Sequence, residues 1–331
     1  MTRALPERAN RPTLWFVGVT TGQSSIMKVF PAWAEHLGLG DVAIRGMDLP
    51  LHAPAVAYRE AVEFIKRDPL SRGALVTTHK IDLYAACVDL FDEIDTFART
   101  MEETSCLSRR GDRFICHAKD PVTAGLAMEH FLEAGHFAAT GAEAFTIGAG
   151  GASIAITWYL MQGERGGNRP SRIIVSDTSR ERLDELRRIH RILDLAVPCE
   201  YVAVESAADN DAVLADLRPG ALVVNATGLG KDLPGSPLSD GAHFPERAIA
   251  WDLNYRGELV FLAQARKQRE RKHLQVEDGW VYFIHGWTRV IAEVFDVDIP
   301  VSGSGFDRLS RIAADAGKPA AAGATRAARL S

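Results

Sequence analysis

The sequence predicts an α/β protein of two lobes, and three features of its 331 residues carry that prediction. Short apolar runs alternate with helix-period segments in two successive stretches. The length exceeds the roughly 100–200 residues usual for one domain. The second stretch opens on a glycine-rich turn set between a strand and a helix.

From Thr13 to about Cys116 the order is the strand LWFVGV, a helix over Ile26 to His36, the strand VAIRGM, a helix near Val56 to Ile65, and the strand ALVTT. Strands alternating with helices in this way form βαβ units and a largely parallel sheet. Arg110-Gly111-Asp112 marks a turn before the strand RFICH, predicting a hairpin at the edge of that sheet. A helix from Pro121 to Glu133 leads out of the first lobe, with Pro121 where a missing N–H costs little. The second lobe is predicted from AFTIGAGGAS, RIIVSD, a helix over Arg180 to Ile192, YVAVES, ALVVNAT and AIAWDLNY, which together give five strands. Val281, Ile284, Val290, Ile291 and Val294 trace an amphipathic helix expected to return to the first lobe. The expected boundaries are 1–120 completed by 281–316, then 121–280, with an Ala-rich mobile tail over 317–331 carrying Lys318, Arg326 and Arg329.

Composition excludes several classes of partner. Against 38 Lys and Arg stand 43 Asp and Glu, a net charge of −5, which supplies no field to gather nucleic acid. The basic stretch Arg266 to His273 reads as a solvated helix face carrying Glu270, since no aromatics interleave it. Apolar runs such as Leu14 to Val19 and Ala248 to Trp251 fall far short of the roughly 18 residues a membrane span needs. Met1 to Thr13 lacks an apolar signal core, so a cytoplasmic protein is expected, as a monomer or homodimer with no membrane partner. Cys87, Cys106, Cys116 and Cys199 show neither CxxC spacing nor a Cys/His cluster, which predicts reduced thiols and no metal site.

The segment Gly148-Ala149-Gly150-Gly151-Ala152-Ser153 follows a strand and precedes the helix Ile154 to Met161. Gly148 allows the tight turn, Gly150 lets the backbone approach a pyrophosphate, and the helix N-terminus offers free N–H groups at its positive end. Ser153 stands at the third position, where Gly or Ala is usual. The next strand ends in Asp177, placed to accept hydrogen bonds from both adenosine ribose hydroxyls and to repel a 2′-phosphate. The alternative is a glycine turn that binds nothing, with Asp177 capping the following helix. The ordered succession of strand, loop, helix, strand and acid favours a dinucleotide site.

These residues resemble the shikimate dehydrogenase family from about Leu14 to Val294. GAGGAS is similar to that family's GAGGA loop, and Asn225-Ala226-Thr227-Gly228 opens a segment resembling its NATxxG beside the nicotinamide. Asp252-Leu253-Asn254-Tyr255 resembles its D-x-x-Y, THK ending at Lys80 the end of its PxK, and AKD ending at Asp120 the end of its NTD. The resemblance implies a substrate lobe, a Rossmann-like dinucleotide-binding lobe and a C-terminal helix closing over the first. It makes Lys80 and Asp120 the catalytic pair, with Leu253 and Gly279 joining the cofactor-binding residues. Where the family has Asn-Arg-Thr, its Arg holding the NADP phosphate, this chain has Ser176-Asp177-Thr178. That exchange implies NAD, with Arg180 nearby keeping NADP open. Thr78 replaces the Pro of PxK, and Gln23-Ser24-Ser25 matches a Ser-x-Ser that holds the substrate carboxylate. Thr104 stands for an Asn, and His285 for a Gln of the closing helix.

Hydride transfer from a secondary alcohol requires the hydroxyl proton to leave as the carbon gives hydride to the nicotinamide. Lys80 as an ammonium polarises a carbonyl and donates a proton, while Asp120 holds it and binds a neighbouring hydroxyl. Without the resemblance the two read as a surface ion pair of little worth. His285 either contacts substrate or belongs to an aromatic core edge with Tyr282 and Trp287, and Tyr255 either binds substrate or plugs an interface. The expected substrate is a shikimate- or quinate-like cyclic hydroxy acid. A different or aminated cyclitol, or a dinucleotide-sensing protein without turnover, stands beside it.

Overall fold

The computed structural model describes residues 5–162, 168–193, 197–231 and 233–317. The tail expected from Gly317 lies, past that residue, outside the described residues. Contacts divide the described chain into two units: one within Met1–Ile94, Thr104–His117 and Thr288–Ser331, the other within Asp95–Glu103 and Ala118–Trp287. Residues 118–120 thus group with the second unit, continuous with the helix they begin.

In the first unit the elements are β1 (Thr13–Gly18), α1 (Ile26–His36), β2 (Ala43–Asp48), α2 (Ala55–Arg67), β3 (Ser71–Val76), α3 (Lys80–Cys87) and the two-residue β4 (Glu93–Ile94). A short α4 (Thr96–Met101), capped by the Asp95 carboxylate on the Ala98 N–H, belongs to the second unit. The first unit then adds β5 (Cys106–Arg110) and β6 (Arg113–His117). The six strands run in the order β2-β1-β3-β5-β6-β4. β1, β2 and β3 pair parallel, and β5 runs antiparallel to both β3 and β6. The hairpin expected around Gly111 is therefore present, but it is not at the edge, because β4 pairs with β6 outside it. A two-residue strand carries no periodicity from which to be read.

Every residue of β1 is buried, as a parallel strand covered on both faces requires. Helix α1 buries Ile26, Val29, Phe30 and Trp33, a stripe at helical spacing, and the Trp33 indole donates to the Leu309 carbonyl at 2.9 Å.

The second unit comprises α5 (Asp120–Phe131), α6 (His136–Thr140), β7 (Ala144–Ile147), α7 (Gly151–Met161), β8 (Ile173–Asp177), α8 (Arg180–Ile192), β9 (Cys199–Ala203), α9 (Ala207–Ala215), β10 (Leu222–Asn225), β11 (Ile249–Asp252), α10 (Val260–Lys272), β12 (Gln275–Glu277) and the start of α11 (Trp280–Phe295). The rest of α11 and α12 (Gly303–Gly317) group with the first unit. Six strands, one more than the five expected, run β12-β11-β10-β7-β8-β9, all parallel. The added strand, β12, is three residues long, again too short for a pattern. Numbered from β7, this is the doubly wound order 3-2-1-4-5-6. β7, β10 and β11 are buried throughout, and α8 seals one face with Leu183, Leu186 and Ile189. The basic stretch of α10 keeps Arg266, Lys267, Arg269 and Arg271 exposed while Gln264, Ala265 and Gln268 turn inward.

Among the described residues no helix is long and apolar enough to cross a membrane. The four cysteines are unbridged, and burial pushes the Cys87 thiol up to about 12 and that of Cys199 to about 11.

Candidate functional site

In an open α/β sheet, ligands bind outside the carboxyl ends of the strands, where the order of connection reverses. In the second unit that point lies between β7 and β10, and the glycine turn follows β7 while Asn225 ends β10. Gly148 has φ of +100°, and a Cβ there would press on the Ala226 carbonyl at 3.1 Å. Gly150, at the N-cap of α7, has open space where a Cβ would stand. Helix α7 starts at Gly151, three residues before the expected Ile154, so Gly151, Ala152 and Ser153 form its first turn. First-turn N–H groups have no intrahelical acceptor, and they lie at the positive end of the helix dipole. The Ser153 hydroxyl donates to the Gly148 carbonyl and closes the loop on itself, which gives a reason for serine at this position. Open backbone at Gly150 and a free helix end fit the pyrophosphate of a dinucleotide.

Asp177 ends β8 with both oxygens engaged: Oδ2 accepts the Ala149 N–H at 2.7 Å and Oδ1 accepts the Ser179 N–H at 2.7 Å. Each oxygen keeps a lone pair for a further donor. Thr178 and Arg180 beside it are exposed. On the other side of the switch point Asn225 is fully buried and organises its loop. Its Oδ1 accepts from the Thr227 N–H at 3.1 Å and hydroxyl at 2.6 Å, and its Nδ2 donates to Asp252 Oδ1 at 3.1 Å. Asp252 Oδ1 also accepts the Asn254 N–H at 2.9 Å, and Asn254 Nδ2 donates to the Thr227 and Leu229 carbonyls. Burial raises the Asp252 carboxyl to about 6 against these hydrogen bonds. Leu253 follows, its N–H held by the Asn225 carbonyl at 3.1 Å, and Gly279 approaches so closely that a Cβ would stand 2.0 Å from the Leu253 carbonyl oxygen.

One group at this turn escaped sequence reasoning. Glu103 is fully buried, with Oε2 2.6 Å from where a Gly151 Cβ would stand. Asp120, the first residue of α5, is buried as well, and a carboxylate there is favoured by the helix dipole. Burial and then the charges of Asp120 and Glu103 push the Tyr282 phenol well above its usual range, so these three groups share one region of the second unit. Tyr255 packs within an aromatic cluster of its own unit, its ring centroid 4.7 Å from Phe283 and, edge-on, 5.5 Å from Trp280. His285, on α11, is 1% exposed.

The first unit has its own reversal, between β1 and β3, and Gln23, Ser25, Thr78 and Lys80 follow those two strands. Gln23 is exposed in a short 3-10 turn and Ser25 half-buried at the start of α1. Thr78, exposed, and Lys80, half-buried at the first position of α3, follow β3. A Cβ on Gly18 would stand 3.0 Å from Thr77 and 3.1 Å from Thr21, so glycine lets the two loops close together. Thr104 is fully buried and its N–H donates to the Lys80 carbonyl at 3.1 Å. Its hydroxyl lies 3.3 Å from the Cys106 carbonyl and 3.4 Å from that of His117. Among the described residues no three His, Cys, Asp or Glu side chains converge on a place that could hold a metal ion.

No family model matches the chain. It is 29% identical to a shikimate dehydrogenase (NADP(+)) of Streptococcus gordonii over 55% of this chain and 59% of that one, so the match spans under two thirds of the relative's length. A shikimate dehydrogenase (NADP(+)) of Streptococcus thermophilus is 25% identical over 74% of this chain and 80% of that protein. Among solved structures, quinate dehydrogenase from Corynebacterium glutamicum in complex with NAD superposes with a TM-score of 0.67 at 20% identity, covering 92% of this chain and 99% of that one.

Proposed function

From a chain that is shikimate dehydrogenase-like in sequence and fold, we propose an NAD-dependent oxidoreductase that moves a hydride between the nicotinamide and a hydroxyl or ketone of a shikimate- or quinate-like cyclic polyol acid. The observation that carries this reading is the glycine turn of a 3-2-1-4-5-6 sheet tied to a carboxylate at the end of the neighbouring strand. Asp177 favours NAD, because its lone pairs suit ribose hydroxyls and its charge repels a 2′-phosphate. The streptococcal relatives carry NADP in their names, and Arg180 is the residue here that would serve a 2′-phosphate.

A bound dinucleotide supplies or takes the hydride. The first-turn N–H groups of α7 would hold its pyrophosphate, and Asn225 shapes the neighbouring loop from Ala226 to Gly228 that would line the nicotinamide side. In the reducing direction Lys80, as an ammonium, would polarise the ketone and give its oxygen a proton, and Asp120 is the carboxylate that the resemblance assigns to the same reaction, to accept a hydrogen bond from a neighbouring substrate hydroxyl. We place the reaction in the cytoplasm, on a monomer or homodimer.

Lys80→Ala should lower turnover by about 100-fold or more, with NAD affinity by calorimetry unchanged. Wild-type turnover in that variant rejects the assignment. A second reading has one observation in its favour. The Thr104 hydroxyl faces main-chain carbonyls, which leaves the substrate short of a side-chain contact at that position and favours another cyclitol or an aminated ring. Assaying a panel of cyclic alcohols and amino alcohols with NAD separates the two.

A further inference from the structure

The backbone leading into Lys80 is strained. The His79 N–H donates to the Thr77 carbonyl at 2.6 Å, across Thr78, whose φ is +65°. A hydrogen bond from residue i+2 back to residue i around a positive φ is the rare sense of γ-turn, costly above all for a β-branched residue. Such strain persists only where the surroundings over-determine it.

His79 supplies those surroundings. Its side chain is 1% exposed, with Nδ1 3.2 Å from the Tyr58 hydroxyl. Tyr58 is itself buried, its hydroxyl accepting the Ala53 N–H at 3.2 Å with Asp82 Oδ2 3.4 Å away. Burial lowers the His79 pKa against the carbonyls of Gly18 and Leu49 and the charge of Asp82, which favours the uncharged ring, and its Nδ1 shares a hydrogen bond with the Tyr58 hydroxyl. Before the turn, the Thr77 N–H donates to the Val17 carbonyl at 3.0 Å, and after it the His79 carbonyl accepts the Leu83 N–H at 2.8 Å. The backbone is thus pinned at both ends of the turn.

We infer, on the reading of Lys80 as the proton carrier, that the turn at Thr78 and the His79–Tyr58 clamp aim the Lys80 side chain, so that His79 and Tyr58 are positioning residues. The resembled family has proline where this chain has Thr78, and a proline ring holds φ near −65°. Proline is incompatible with the +65° observed here. A proline at position 78 should therefore disrupt the turn that leads into Lys80.

The test uses the full chain with NAD and the best substrate of the panel. His79→Leu keeps bulk but removes the hydrogen bond to Tyr58, and is expected to lower kcat by about 10–100-fold with little change in the KM for NAD. His79→Asn, which returns a hydrogen-bonding group near the Nδ1 position, should recover most of that loss. Thr78→Pro should cost as much as His79→Leu. Lys80 labelling by an amine-reactive acetylating reagent across pH, read by mass spectrometry, should shift in the His79→Leu and Tyr58→Phe proteins. Wild-type kcat and labelling in His79→Leu, or wild-type kcat in Thr78→Pro, overturns the inference. If His79→Leu does not fold, Tyr58→Phe probes the same clamp from its other side. Should Lys80→Ala keep full turnover while the clamp variants still shift Lys80 labelling, the catalytic reading falls and the clamp stands.

Discussion

Asp177 serves two partners at once. Its Oδ2 holds the Ala149 N–H inside the glycine turn, so on the proposed reading the carboxylate placed to select the ribose would also fix the loop placed to take the pyrophosphate. Asp177→Arg should therefore lower kcat/KM with NAD for both reasons, and raise the NADP-to-NAD ratio of kcat/KM by about 10–100-fold as a guanidinium replaces a repelling charge. Steady-state assays with both dinucleotides give that ratio, and an unchanged ratio would mean that Asp177 does not face the ribose. The place of Asp177 beside the glycine turn was legible in the sequence because that turn needs glycines at fixed offsets, which leaves a pattern. Glu103 and His79 were not. Each is a polar residue whose importance lies in being buried, at Gly151 and against Tyr58 respectively, and burial of a polar group is a tertiary property that neither period nor propensity encodes.

Elements with a strong period were readable, and those without one were not. Ile26–His36 and Arg180–Ile192 are helices over the residues anticipated, and each buries an apolar stripe at helical spacing. Gly303–Gly317 buries Phe306, Leu309 and Ala313 at helical spacing, but two glycines near its start hide the stripe from a propensity reading. Strands of two or three residues, Glu93–Ile94 and Gln275–Glu277, are specified only by the neighbour they pair with. The junction of β11 and α11 is an element-scale constraint that makes its own prediction. The Gly279 N–H donates to the Asn254 carbonyl at 3.1 Å, and a Cβ would stand 2.0 Å from the Leu253 carbonyl oxygen and 2.4 Å from its carbon. Because backbone lies on that side, nothing flexible can give way. Gly279→Ala should cost about 2 kcal/mol or more in urea unfolding, and a variant as stable as wild type would mean that this approach is not maintained in solution.

At the scale of the whole molecule, two buried groups of the second unit set opposing pH dependences. His190 bridges the Thr157 hydroxyl, 2.8 Å from Nε2, and the Tyr201 hydroxyl, 2.7 Å from Nδ1, and burial lowers its pKa from 6.5 to about 4. The unfolded chain then binds the extra proton, so stability is full above 6.5 and is lost as pH falls toward 4. Asp252 has the opposite sign: raised from 3.8 to about 6, it is protonated in the folded state first, so its contribution is full below 3.8 and is lost as pH rises through 6. Each shift of somewhat over two pKa units corresponds to about 3 kcal/mol, and over the shared window the two slopes cancel. Single substitutions should unmask them. Asp252→Asn keeps the Oδ1 acceptor for Asn225 and Asn254, and should leave a protein that is stabilised at neutral pH and loses that advantage steadily as the solution is acidified. His190→Gln should leave one that gains stability on acidification from 6 to 4, relative to wild type. Urea midpoints measured between pH 4 and 7 for the three proteins decide the matter. Parallel profiles would show that the two groups do not titrate with the opposing shifts their burial imposes.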